Sequence, residues 1–250
     1  MNRIALAIAL GGALLCWTIA APAMTEGPPL YQARVDLKNK ASLQRGLRLF
    51  TNYCLSCHSA AYSRYSRVAR DLGLTEDEVA NNLMFATDKI GNTMTVAMRR
   101  ADAEAWFGTP PPDLSVIARA RGADWLYTYL LTFYEDPSRP TGVNNLVFKD
   151  TAMPHVLWEL QGYQKPVYVT EKDAEGREVQ RIGKLEPSTP GLLDATQYQN
   201  AVRDLVNFLV YMGEPAKMMR LEMGPWVILF LVVFWLVARQ LKKEYWKDVR

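Results

Sequence analysis

Residues 45–58 read R-G-L-R-L-F-T-N-Y-C-L-S-C-H, and the last five, Cys54, Leu55, Ser56, Cys57 and His58, form the pattern C-x-x-C-H. That spacing is an attachment site for a covalent c-type haem, in which two thiols add across the vinyl groups and the adjacent imidazole reaches the iron as an axial ligand. The chain holds three Cys and two His in 250 residues, so a shuffled chain would match on the order of once in several thousand trials. The other readings are a Cys54–Cys57 disulfide, a thioredoxin-like redox pair and half of a zinc site. Zinc needs about four ligands, and beyond the cluster only Cys16 and His155 remain. A redox pair belongs in a βαβ context, whereas Cys54 stands near the end of a helical pattern. One covalent haem c, used for electron transfer and not for bond making, is the expectation.

Working outward from the motif, Leu43, Leu47, Phe50 and Cys54 recur at three- and four-residue spacing, so one helical face carries apolar side chains and the first haem cysteine together. Gly46 costs that helix about 1 kcal/mol relative to Ala, which points to a second helix crossing closely there. The candidate partner lies late in the chain. From Gln197 to Met212, Tyr198, Val202, Leu205, Leu209 and Met212 form an apolar stripe that stops at Gly213 and Pro215. First and last helices packed over a haem edge give the architecture of class I cytochromes c, which G-x-x-x-F-x-x-x-C-x-x-C-H resembles.

Between these helices, Thr75 and Glu78 spell a capping box for a helix running toward Phe85. Asp124 is placed to cap another that carries Trp125 to Tyr134. Pro110, Pro111 and Pro112 mark a loop before Asp113 and Leu114. The Val167–Thr170 and Arg177–Ile182 segments flank a turn with Asp173 and Gly176, a short exposed hairpin. The fold class is therefore mainly α, with loop and hairpin insertions.

The two ends carry membrane signals. Arg3 precedes an uncharged run from Ile4 to Ala23 ending in Ala21, Pro22 and Ala23, which reads as a secretory signal peptide cleaved after Ala23. The competing reading is an uncleaved anchor, since roughly 20 apolar residues span a bilayer. A second uncharged stretch, Met223 to Ala238, is dense in Val, Leu, Phe and Trp; with Trp226 and Trp235 toward the interfaces and Arg239 snorkelling it reads as a spanning helix. Arg239, Lys242, Lys243, Lys247 and Arg250 follow it and are expected to stay cytoplasmic. The division is a signal peptide over 1–23, an exported, periplasmic haem domain over 24–222, a transmembrane helix over 223–241 and a basic tail over 242–250. Residues 24–222 hold 23 basic against 24 acidic side chains. The overall net charge of +3 is thus a topology signal and gives no support to nucleic-acid binding.

A c-type haem of higher potential takes a Met thioether opposite its His. Candidates outside the signal are Met84, Met94, Met98, Met153, Met212, Met218, Met219 and Met223. Met84, Met94 and Met98 stand in stretches readable as helical core, and the last four in or near the C-terminal helices. Met153, in the loop Lys149 to Pro154, is free to turn inward. His155 is the rival, giving a bis-His haem, and Pro154 between them makes ligation by both implausible.

L-Y-Q-A-R-V-D-L from Leu30, R-G-L-R-L-F-T-N-Y-C-L-S-C-H-S from Arg45, P-P-D-L-S from Pro111, A-M-P around Met153 and E-Y-W-K-D-V from Glu244 together resemble the cytochrome c1 family. The resemblance runs in order over nearly the whole mature chain. It implies a haem c subunit of a bacterial cytochrome bc1 complex in the cytoplasmic membrane. That subunit takes electrons from a Rieske iron–sulfur protein, sits beside cytochrome b in a dimeric complex, and passes electrons to a cytochrome c. It further implies His58 and Met153 as the axial pair, Cys54 and Cys57 as thioethers, Arg121 in A-R-A-R as a haem-propionate partner and Pro112 lining the haem. Some relatives brace the methionine loop with a further disulfide, which this chain lacks the cysteines to form. Nor does it carry a long acidic insertion, since the clusters at Glu76–Glu78 and Glu171–Glu175 are short. Two other functions remain open on sequence: a stand-alone anchored cytochrome serving a terminal oxidase, and a peroxidase-type haem enzyme with an open iron position.

Overall fold

The structure, a computed structural model, describes residues 28–96, 98–172 and 176–248. The signal-peptide reading, with Cys16 and the Ala23 cleavage site, lies outside the described residues. So do Asp173 in the hairpin turn and the end of the basic tail.

Helix α1 (Lys40–Leu49) starts at Asn39, whose side chain accepts the Ser42 N–H. A single widened π turn, Phe50–Cys54, continues it, closed by the Leu55 N–H reaching back to the Phe50 carbonyl at 2.9 Å. Leu43, Leu47, Phe50 and Cys54 are all buried, the apolar face read from their spacing. At the far end of the domain, helix α8 (Ala195–Gly213) opens with a reciprocal capping box between Asp194 and Gln197. Tyr198, Val202, Leu205, Leu209 and Met212 are buried along it.

The two helices cross at Gly46. A Cβ there would collide with the Asp204 carbonyl oxygen of α8 and lie 2.8 Å from Phe208 Cβ, so only glycine permits this approach. Polar groups lock the same crossing. The Arg45 guanidinium donates to both Asp204 carboxylate oxygens at 2.6 and 3.0 Å, and the Ser42 hydroxyl donates to Asp204. The buried Asn207 amide donates to Ser42 Oγ at 2.7 Å, while its oxygen accepts the Asp36 N–H.

Smaller elements fill the interval. Strand β1 (Ala60–Arg64) pairs antiparallel with β2 (Thr93–Met94), so Met94 is a buried strand residue and not helical core. Helix α2 (Tyr65–Leu72) ends at Gly73 in the left-handed region, and α3 (Glu76–Leu83) carries the Thr75–Glu78 capping box. Helices α4 (Arg100–Phe107), α5 (Ile117–Arg121) and α6 (Ala123–Leu131) follow, then strands β3 (Phe133–Glu135) and β4 (Val143–Asn145), paired antiparallel. Asp124 does not cap α6. Gly122 holds the N-cap position, and the Asp124 carboxylate instead accepts the Ala33 N–H at 2.8 Å, from 91 residues away. Tyr134, expected in that helix, lies in β3.

Helix α7 (Trp158–Gln161) leads into a hairpin of β5 (Gly162–Lys172) and β6 (Glu178–Pro190). It is far longer than the expected short one. Most side chains on both faces are exposed, so the sequence lacks the two-residue apolar alternation that would have revealed its length. Finally α9 (Ala216–Tyr245) runs 30 residues with no side chain buried, although Met218 in its first turn packs against the edge of the core. It begins seven residues before the expected span and includes Lys217, Arg220 and Glu222 in its first turns. Its length and apolar composition suffice to cross a membrane. The Arg239 guanidinium lies over the Trp235 ring at 5.5 Å.

Candidate functional site

A cavity of about 440 Å³ opens between the end of α1, the proline loop, α5 and α6, the loop Thr151–Pro154 and one face of α8. All six sequence-derived site residues, Cys54, Cys57, His58, Pro112, Arg121 and Met153, line it. Most of the remaining wall is apolar, including Leu126, Leu130, Leu205 and Leu209.

The π turn delivers Cys54, and the main chain then folds tightly, with the Cys57 and His58 N–H groups both donating to the Cys54 carbonyl at 3.1 and 2.8 Å. The two thiols are not bonded to each other. Burial beside Cys57 pushes the Cys54 thiol up to about 12, so it is not an activated thiolate of a redox pair. Among the described residues no three His, Cys, Asp or Glu side chains gather to hold a metal ion.

His58 Nδ1 donates to the Pro112 carbonyl at 2.7 Å. This bond fixes the proton on Nδ1 and leaves Nε2 with a lone pair for a metal. Burial lowers the His58 pKa, with the Pro112 carbonyl opposing it in part, so the imidazole is held neutral, as ligation requires. The proline loop is itself pinned. Asp113 accepts the Ala61 and Ser115 N–H groups at 2.9 and 2.8 Å, and the Leu114 N–H donates to the Ser59 carbonyl at 2.8 Å. Sequence reasoning placed Pro112 at the haem but missed its carbonyl and the Asp113 anchor; Asp two residues before Ser, a turn-forming pair, was the available signal.

On the other wall, the Tyr129 hydroxyl donates to Met153 Sδ at 3.4 Å and shares a 2.9 Å hydrogen bond with Thr151 Oγ1. Thr151 Oγ1 also accepts the Met153 N–H at 3.3 Å. Tyr129 is set by stacking on Trp125 (5.1 Å, 8°) and by the edge of Phe133 (5.0 Å). Arg121, at the end of α5, lies over Trp125 at 5.0 Å and Phe148 at 5.7 Å, and within the described residues its guanidinium has no carboxylate partner. A cation on this apolar wall suits an anionic group of a ligand.

His155 is not in this arrangement. It is buried away from the cavity lining, stacked on Phe133 at 5.0 Å and 8°, and burial lowers its pKa to about 4. The bis-His reading therefore fails on position. Met84 and Met94 likewise stand outside the lining.

The methionine loop rests on two asparagines that the sequence did not single out. Buried Asn145 donates to the Tyr129 carbonyl at 2.7 Å and accepts the Val147 and Phe148 N–H groups. Asn144 accepts from Asn145 and Asp150 and donates to Asp136. Asn145→Ala would take the acceptor from the part-buried Val147 and Phe148 N–H groups and leave the Tyr129 carbonyl with only the Thr132 N–H at 3.4 Å, so a loss of about 1–3 kcal/mol is expected. A lower urea midpoint at unchanged m-value in the purified holoprotein checks it.

The residues present suit a c-type haem: an imidazole with a free Nε2, a thioether, and two thiols beside the imidazole, all facing one largely apolar cavity with a cation on its wall. The family model described as the Cytochrome C1 family matches residues 32–180. Among curated proteins, cytochrome c1 of Allochromatium vinosum is 47% identical over 223 residues, covering 89% of this chain and 91% of that one. A protein of Nitrosomonas europaea named ammonia monooxygenase gamma subunit is 48% identical over 220 residues, covering 88% of each. Among solved structures, a chain of a hyperthermophilic respiratory complex III matches with a TM-score of 0.45 and 18% identity over 99% of both chains.

Proposed function

The chain belongs to the cytochrome c1 family, and on that premise we propose that it carries one haem c. In this reading Cys54 and Cys57 would hold the group through thioethers, and His58 Nε2 and Met153 Sδ would ligate its iron. It acts in the bc1 electron-transfer chain with cytochrome b and a Rieske protein. Haem c supplies a one-electron ferric/ferrous couple.

The protein's own residues do the rest. The Pro112 carbonyl orients the His58 imidazole and keeps its proton on Nδ1. The Tyr129 hydroxyl and Thr151 hold the thioether sulfur. Leu126, Leu130, Leu205 and Leu209 exclude water, which limits solvent reorganisation around a charge that changes by one. Arg121 would pair with a propionate. With His58 and Met153 both holding the iron, no position would be left for bond-making chemistry, and quinol oxidation would fall to another subunit.

The observation that carries this reading is the convergence of one imidazole, one thioether and two thiols on a single apolar cavity. The proposed topology puts residues 24–222 in the periplasm, anchors them by α9 over 223–241 and leaves 242–250 in the cytoplasm. The complex is proposed as a dimer with a cytochrome c as acceptor. Family membership speaks against a stand-alone carrier for an oxidase, and a closed iron speaks against a peroxidase.

Purifying the membrane complex tests both. Haem that stays on this chain after denaturation, with cytochrome b and a Rieske protein co-purifying, is the expected result. A chain isolated with an oxidase alone would overturn the assignment to the complex, and rapid carbon monoxide binding to the native ferrous form would overturn closed coordination.

A further inference from the structure

Resting on the reading of Met153 as a ligand, we infer that Arg139 and Asp150 form a strap that positions the methionine loop and thereby keeps the iron closed. Neither residue lines the cavity; both act through the chain that carries Met153.

Arg139 lies in the connection between β3 and β4, where its N–H donates to the Asp136 carbonyl at 3.0 Å and its carbonyl accepts the Gly142 N–H at 2.9 Å. From this fixed base the side chain grips Asp150 twice. One guanidinium nitrogen is 3.1 Å from the carboxylate, and the other donates to the Asp150 backbone carbonyl, also at 3.1 Å. Holding both the side chain and the main chain of one residue fixes its orientation, which an ordinary surface pair does not do. Arg139 Nε is sealed from solvent without an acceptor among the described residues. Only Nε is sealed, since the Arg139 side chain keeps 29% exposure and Asp150 55%, so the two-point grip on Asp150 and not burial of the pair sets the geometry.

Asp150 itself is in the left-handed region at φ 61, a conformation that a non-glycine residue keeps only when its surroundings impose it. The impositions are visible: the Asn144 side chain accepts the Asp150 N–H at 2.8 Å, and Asn144 is tied in turn to Asp136 at 2.9 Å. Three residues later comes Met153, in a segment from Lys149 to His155 with no helix or strand. Its sulfur is held by one long hydrogen bond from Tyr129. The reversal at Asp150 therefore decides where the loop re-enters the cavity wall, and Arg139 holds that reversal from outside.

The test uses the full-length holoprotein in its complex. In Arg139→Gln and Asp150→Asn, the sulfur–iron charge-transfer band is expected to weaken and carbon monoxide binding to the ferrous form to accelerate at least tenfold. Arg139→Lys, which keeps the charge and loses the fork, should fall between. Asp150→Gly keeps the left-handed backbone while losing the carboxylate, so it separates strain from the ion pair; if Arg139→Gln does not accumulate, it carries the test. Arg45→Gln breaks an ion pair at the α1–α8 crossing and should lower thermal stability with the band intact. A native band and native carbon monoxide kinetics in both Arg139→Gln and Asp150→Gly would overturn the strap. A wild-type protein lacking the band would instead overturn Met153 ligation, so the two failures are distinguishable.

Discussion

Gly46→Ala is expected to lower the unfolding free energy by about 2–3 kcal/mol, and Gly46→Val to abolish accumulation of the holoprotein. Two effects oppose each other in the alanine variant. Helix propensity favours it by about 1 kcal/mol. Against this, the new methyl collides with the carbonyl oxygen and carbon of Asp204 and meets Phe208 Cβ at 2.8 Å. Both obstacles belong to the body of α8, so no side-chain rotation removes them and the helices must separate. Overpacking typically costs 1–3 kcal/mol, more when backbone must move, and separation here would also stretch the Arg45–Asp204 and Ser42–Asp204 contacts. The collision wins. A loss of that size is a large share of the 5–15 kcal/mol that holds an ordinary domain together. Gly224→Ala in α9, where a Cβ meets nothing within 4 Å, is the control: it shares the propensity gain without the clash. Thermal unfolding of the two variants side by side checks the sign, and equal midpoints would show that α8 yields.

That crossing was legible because it is written in local terms. A helical apolar period, an out-of-place glycine and a second stripe ending in Gly213 and Pro215 each follow from one stretch of chain. The Thr75–Glu78 box was readable for the same reason, as was a cavity-facing Met153 in a loop between elements. What escaped depends on groups far apart in sequence. Asp124 looks like an N-cap, but its carboxylate serves the Ala33 N–H; local spacing cannot rank a near donor against one 91 residues away. His58 needs the Pro112 carbonyl 54 positions on, and a backbone oxygen leaves no mark in residue identity. The π turn at Phe50–Cys54 was missed because one extra residue in a turn leaves the apolar spacing nearly unchanged. The β5–β6 hairpin was underestimated where its inner half packs on β3 through Gln164, which donates to the Leu131 and Phe133 carbonyls. Polar residues at such positions read as loop. In this chain the candidate ligands that line the cavity were legible and the groups that brace them were not, since ligand chemistry demands particular side chains while support draws on whatever acceptor the fold brings near.

Met153→Ala is the sharpest test of the site, and its expected result is a folded holoprotein with an open sixth position. Folding should survive, because Met153 is only partly buried and packs at the edge of the core, and the truncation removes no backbone partner. The proposed thioethers at Cys54 and Cys57, and the His58–Pro112 bond, are made by other segments and should stay in place. Loss of the thioether removes the soft ligand that favours the ferrous state, so the midpoint potential should fall by on the order of 0.1 V or more, within the roughly 0.8 V range that axial ligands command. Ferrous protein should then bind carbon monoxide, and reduction by the Rieske partner should become unfavourable while assembly of the complex is unchanged. Tyr129→Phe refines the point: it removes the hydroxyl from Met153 Sδ and Thr151 Oγ1 but leaves the thioether, so the potential should shift by a small part of the Met153→Ala change and carbon monoxide should stay out. Redox titration of the purified complex, paired with carbon monoxide difference spectra, separates these outcomes. A Met153→Ala protein with the parent potential and no carbon monoxide complex would place the sixth ligand elsewhere. His155, locked in its stack on Phe133, could take that place only if the loop refolded.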